Sequence, residues 1–273
     1  MISVTSAAII GIDAVAIDVE IDMRSGLPAF EIVGLAGQAV KESRERIRSA
    51  LKNTGFSYPL HKIIVNLAPA DLKKNGTLYD LPIALGILAG MGCLAPEQLQ
   101  RCIIVGELSL NGELRGVPGM ISIAELAEQC RMPLLIPEEN SAEAAAVTGR
   151  AYAVRNLRHA FALLSNITKF QPIKQSQFQP QQTKQVHLNA IKGQNTAKRM
   201  LTIAAAGHHH ALLIGPPGTG KTLLAQSVPS LLPPLSRQEA LETTKIFSCA
   251  GLLQPHAGLI TTRPVRMPHH NIS

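Results

Sequence analysis

Residues 211–222 read ALLIGPPGTGKT, and this stretch restricts the fold more than any other. Gly215, Pro216, Pro217, Gly218, Thr219, Gly220, Lys221 and Thr222 together fit the spacing G-x-x-x-x-G-K-[ST] in full. Glycines at those places let the backbone curl so that successive N–H groups point inward at phosphate oxygens. The helix that follows aims its positive N-terminus at the same anion. Lys221 is then placed to reach the β- and γ-phosphates of ATP, and the Thr222 hydroxyl to ligate Mg²⁺. The apolar run 211–214 predicts a short strand before the loop, and 223–228 starts a helix after it. Residues 194–206 predict a further, amphipathic helix ended by Gly207. Strand, glycine-rich loop and helix open an α/β nucleotide-binding domain. A glycine-rich turn without a ligand is the rival explanation, and the flanking strand and helix speak against it.

Hydrolysis also needs a carboxylate at the end of an apolar strand to hold Mg²⁺, the Walker B element. After Thr222 the only acidic residues are Glu239 and Glu242, both in a polar, helix-like stretch at 236–247. No catalytic residue is therefore assignable. The ATPase domain is expected to be incomplete, a truncated product or a part that needs a complement from elsewhere.

Upstream, strands and helices are mixed. Val15, Ile17, Val19 and Ile21 alternate with acidic side chains, the pattern of a half-buried strand in an antiparallel sheet. Phe30 and Ile32 suggest a second strand, and 62–67 a third. Residues 38–53 predict a charged helix with Val40, Ile47 and Leu51 inward, closed by Gly55. Its Lys41, Arg44, Arg46, Arg48 and Lys52 either meet a polyanion or form a solvated face laced with Glu42 and Glu45. A buried helix is expected at 81–91, a hairpin around Asn111-Gly112, a helix at 118–130 and a short strand at 134–136. Strands with helices packed on one side argue α+β.

The two regions are separated by residues 169–185, KFQPIKQSQFQPQQTKQ, which read as a solvated glutamine-rich linker. A length of 273 residues fits two domains. No tryptophan is present, so stacking on single-stranded bases is disfavoured. The net charge of +7 permits a polyanionic partner. No run reaches the ~20 apolar residues of a membrane span, and residues 1–12 lack the features of a signal peptide. The four cysteines form no C-x-x-C pair. A reduced, cytoplasmic protein is expected, with no membrane association.

Gly193-Gln194, Ala197-Lys198-Arg199, 203–207, the phosphate loop, Leu232-Pro233-Pro234-Leu235 and Arg263-Pro264-Val265-Arg266-Met267-Pro268-His269-His270 together resemble the ComM-type (YifB-type) magnesium-chelatase-like AAA+ ATPases. The phosphate loop is generic, whereas the R-P-x-R-x-P-H-H run is specific to that group. The resemblance implies ATP and Mg²⁺ as cofactors, a hexameric ring, and a DNA motor that promotes branch migration in natural transformation and recombination. The family's Walker B, sensor and arginine-finger segments would lie beyond Ser273.

The first region resembles the Lon protease catalytic domain, a ribosomal-S5-domain-2-like fold. Residues 106–114, GELSLNGEL, and 136–140, IPEEN, carry that likeness. Active Lon uses a serine activated by a lysine. Asp80 stands at the serine's place and Ile121 at the lysine's, so the likeness implies a proteolytically inactive domain. Thr77, Lys73 and Lys74 are the nearest substitutes. The expected organisation is an α+β Lon-like domain at 1–165, a linker at 166–186, and the N-terminal part of an α/β P-loop AAA+ domain at 187–273. An ATP-dependent Lon-type peptidase and a non-catalytic truncated product are the alternative functions.

His208-His209-His210 reads as a polar turn rather than a metal cluster, since neighbouring histidines cannot all face one ion. Arg263, Arg266 and His269 form a basic stretch for nucleic acid or a neighbouring subunit, or else a flexible end. Asp71, Asp80 and Glu107 are treated as structural.

Overall fold

The computed structural model describes residues 1–166, 170–180 and 187–266. The chain divides into two compact units, Met1–Gln177 with Thr244–Leu259, and Phe178–Thr243 with Ile260–Ser273.

In the first unit, strands β1 (Ile2–Ile10) and β2 (Asp13–Arg24) form a hairpin, with Ile2 opposite Ile21 and Ile10 opposite Asp13. Gly11 turns it at φ +65°. Strand β4 (Lys62–Ala68) pairs antiparallel with β2, and β3 (Ala29–Val33) pairs parallel with β4, giving the order β1-β2-β4-β3. Val19, Ile21, Ile63, Val65 and Leu67 are buried. Period-two alternation places them together on the inner side of the sheet. The region expected as one helix at 38–53 is α1 (Gln38–Lys41) followed by α2 (Ser43–Asn53), joined at Glu42. Val40, Ile47 and Leu51 are buried as expected.

Helix α3 (Asp80–Gly90) is buried around its whole circumference except at its last residue. That explains its unbroken apolar sequence. Helix α4 (Pro96–Gln100) leads to a second sheet of β5 (Ile103–Ile104), β8 (Leu134–Pro137) and β9 (Ala151–Val154), all parallel. The crossovers are α5 (Met120–Cys130) and α6 (Ser141–Val147), and α7 (Leu157–Ser165) follows β9. Strands β6 (Glu107–Leu108) and β7 (Leu114–Arg115) make the hairpin expected at Asn111-Gly112. The antiparallel pairing expected for β2 is present, and the unit adds a wholly parallel second sheet. Parallel strands need crossovers, and the helices at 120–130 and 141–147 supply them.

The first part of the glutamine-rich stretch keeps most of its side chains exposed, as expected of a solvated segment, while its backbone is tied to the first unit. The amides of Ile173 and Ser176 donate to the carbonyls of Ala151 and Ala145, and Phe170 and Ile173 pack on the core. Backbone pairing of this kind is indifferent to side-chain polarity. Residues 169 and 181–185 of that stretch lie outside the described residues.

The second unit contains α8 (Asn195–Ala206), α9 (Lys221–Ser227) and the first half of α10 (Arg237–Cys249). Ile191, Leu201 and Leu224 form its small core, with Leu213 and Val228 against it. The strand expected at 211–214 is not formed. Among the described residues this unit has no strand to pair with it, and Leu212 and Ile214 are 83% and 87% exposed. A lone strand leaves its N–H and C=O groups without a ladder. No helix among the described residues is long and apolar enough to cross a membrane.

Candidate functional site

Gly215–Thr222 runs as an exposed loop into α9, whose first residue is Lys221. Gly218 and Gly220 sit at φ +81° and +79°, the left-handed region in which a side chain is strained. Gly220, an invariant place of the motif, and Gly218, at one of its variable places, thus have a backbone reason for glycine. Pro216 and Pro217 fix φ in the opposite half of the loop. The Thr219 hydroxyl donates to the Pro216 carbonyl at 3.0 Å, which closes the loop on itself. The Lys221 ammonium donates to the same carbonyl at 2.6 Å and to Thr219 Oγ1 at 3.3 Å. Its positive charge is therefore held over the loop's own oxygens. No acidic residue lies in the first turn of α9, so nothing there competes with a phosphate for this end of the helix. The Thr222 side chain is exposed at the same turn.

Gln194 was legible only as part of a family resemblance, yet it touches the loop. Its Nε2 donates to the Thr219 carbonyl at 3.2 Å, tying the loop to the start of α8. The two acidic residues after Thr222 serve α10. Ser236 and Glu239 form a reciprocal capping box: the Ser236 amide donates to Glu239 Oε2 and the Glu239 amide to Ser236 Oγ. The Ser236 backbone amide, with Arg263 beside it at 3.1 Å, holds the Glu239 carboxyl below its ordinary range. The S-x-x-E spacing was a readable signal for this cap. Glu242 accepts from Gln238. Arg263 is thus engaged by Glu239 and by the Pro233 carbonyl, while Met267, His269 and His270 lie outside the described residues. His208, His209 and His210 are exposed in a turn after α8, and no metal-holding group of side chains occurs among the described residues.

The first unit carries a second polar cluster. Asp80, 1% exposed at the start of α3, accepts from Arg46 Nε at 2.6 Å, from Arg46 Nη2 at 3.0 Å and from the Leu108 amide at 3.2 Å. Burial pushes its carboxyl up to about 6, against the opposing pull of Arg46. Arg46 therefore turns inward, which corrects its place among cations that face a polyanion. Thr77 donates to Glu107, and the buried Lys74 to the Pro69 carbonyl. Ile121 is fully buried. Thr77 and Lys74 thus each have a structural partner, Lys73 is exposed, and the described residues near Asp80 form no serine–lysine-like pair.

Sequence comparisons place the chain among known proteins. The family described as subunit ChlI of Mg-chelatase matches residues 19–140, and the family described as magnesium chelatase, subunit ChlI, matches residues 187–273. The YifB protein of Salmonella typhimurium is 42% identical over 99% of this chain and 53% of its own length. Competence protein ComM of Haemophilus influenzae is 41% identical over 99% of this chain and 54% of its own. The archaeal Lon protease of Halobacterium salinarum is 43% identical over 54 residues, 20% of this chain and 8% of that protein. The chain spans about half the length of the YifB and ComM relatives.

Proposed function

This chain belongs to the magnesium-chelatase-like family that includes YifB and ComM, and on that premise we propose that it is an ATP–Mg²⁺-binding part of an AAA+ motor that works on DNA. The phosphate loop carries the proposal. Its glycines hold the strained turn, and Lys221 lies across the loop's own carbonyl and hydroxyl oxygens. Phosphate oxygens are stronger acceptors for that ammonium than a carbonyl. The backbone of Gly215–Gly220 would be the cradle, Lys221 would neutralise the β- and γ-phosphates, and the Thr222 hydroxyl would be a ligand to Mg²⁺. Bound ATP supplies the free energy of phosphoryl transfer. Exposed Leu212 and Ile214 are apolar side chains that a P-loop sheet would cover.

By family, the working form is a homo-oligomeric, hexameric ring in the cytoplasm, and its work is branch migration of DNA in transformation and recombination. The region 1–165 is proposed as a Lon-like domain that serves assembly or DNA engagement, joined through 166–186 to the AAA+ part at 187–273. The partial match to a Lon protease supports the likeness. Asp80 and Ile121 speak against peptidase chemistry.

Binding of ATP–Mg²⁺ and of branched DNA tests the proposal, beside a Lys221→Ala control. Saturable ATP binding that is lost in the variant, with DNA bound by the same folded chain, is the expected result. ATP binding that survives Lys221→Ala contradicts it.

A further inference from the structure

We infer that the outward stripe of helix α2, made by Arg44, Arg48 and Lys52, seats the phosphodiester backbone of DNA. The inference rests on the DNA-directed function proposed above and names the surface that the first unit gives to it.

The structure sorts the cations of this helix. Arg46 is withdrawn to Asp80. Arg44, Arg48 and Lys52 stay exposed. They stand at positions i, i+4 and i+8, and residues four apart share one face of a helix. The stripe therefore runs along the helix for about 12 Å, with about 6 Å between neighbours. A DNA strand carries one charge per about 3.4 Å of its axis, so the stripe spans three to four phosphates.

Little inside the protein competes for these charges. Arg44 lies 3.5 Å from Glu45, a next-neighbour pair with side chains 46% and 68% exposed. Such an exposed pair contributes little and yields to a phosphate. Glu42 accepts from Gln38 instead. The Arg48 guanidinium stands 5.6 Å from the centroid of the half-buried Tyr58 ring. That contact holds the arginine against the protein and leaves its N–H groups for an anion. The stripe offers no base-reading groove, so binding is to backbone and indifferent to sequence.

The test is fluorescence anisotropy of labelled single- and double-stranded DNA with the full chain across a salt series. The variant is Arg44→Gln/Arg48→Gln/Lys52→Gln, whose exposed positions leave melting and ATP binding as controls for folding. Loss of three phosphate contacts lowers the slope of log affinity against log salt by about 2–3 and weakens binding at low salt at least tenfold. Arg44→Lys/Arg48→Lys keeps most of the binding. Unchanged affinity and slope in the triple variant overturns the stripe while the DNA-directed function stands. No DNA binding by the wild type overturns both, and binding to anionic vesicles in its place assigns the stripe to a membrane surface.

Discussion

Arg46 holds both carboxylate oxygens of Asp80 in a two-pronged contact, at 2.6 and 3.0 Å, at the buried start of helix α3. The residues are 34 positions apart in sequence. Their contact fixes α2 to α3, and the Leu108 amide adds the β6–β7 hairpin to the same carboxylate. Asp80 is thus a structural joint between α2, α3 and the hairpin.

Asp80→Ala should therefore destabilise the first unit strongly. Removing one partner of a buried pair costs about 3–5 kcal/mol. Arg46 is still 20% exposed and keeps its bond to the Ala39 carbonyl, so we expect about 2–4 kcal/mol by urea denaturation. A change below about 0.5 kcal/mol, the size of an ordinary surface effect, contradicts the joint.

The same carboxyl makes stability depend on pH in a definite direction. Burial raises Asp80 from 3.8 to about 6. The folded protein then takes up a proton at a pH where the unfolded chain does not. Stability from this group is fully present below the unfolded value and is lost as pH rises through about 6. Relative to Asp80→Asn, the wild type should gain about 1–3 kcal/mol between pH 7 and pH 4. A difference that is flat or that shrinks on acidification refutes the assignment.

Thiol labelling should separate the cysteines. Cys93 and Cys130 are exposed, Cys249 is intermediate and Cys102 is buried. Burial pushes the Cys102 thiol up to about 12, which removes its thiolate. Two thiols should react fast and one slowly, with Cys102 silent until the protein unfolds. Fast labelling of Cys102 in the native state contradicts this packing.

Two glycine substitutions should differ although both positions have positive φ. At Gly34, φ +94°, an added Cβ would lie 2.3 Å from the Leu67 carbonyl oxygen, which is backbone of β4 and cannot swing away. At Gly11, φ +65°, nothing lies within 4 Å. Gly11→Ala carries only the backbone strain, about 1 kcal/mol. Gly34→Ala adds a steric clash and should cost about 2–4 kcal/mol in all. Equal melting of the two variants contradicts the close approach of β3 and β4.

Several of these features were legible in the sequence, for local reasons. The alternation in β2, the apolar face at Val40, Ile47 and Leu51, and the Asn111-Gly112 turn each follow from neighbours within a few residues. Strand β1 was not legible, because Ser6, Ala7 and Ala8 are all buried and break the alternation. The parallel pairing of β8 with β9, the Arg46–Asp80 joint and the docking of Ile173 on Ala151 join residues far apart in sequence. No local pattern encodes such contacts. The phosphate loop was legible because its glycines answer to backbone geometry at single positions. The strand before it was misread because an apolar run becomes a strand only beside a partner.

Equilibrium binding of ATP to this chain in the presence of Mg²⁺, measured by displacement of a fluorescent nucleotide, tests the central claim most directly. The loop geometry predicts saturable binding that falls at least tenfold in Lys221→Ala, a charge-assisted contact to phosphate worth about 1.5–3 kcal/mol, with melting unchanged. Binding of equal strength in wild type and Lys221→Ala, or none in either folded protein, contradicts it.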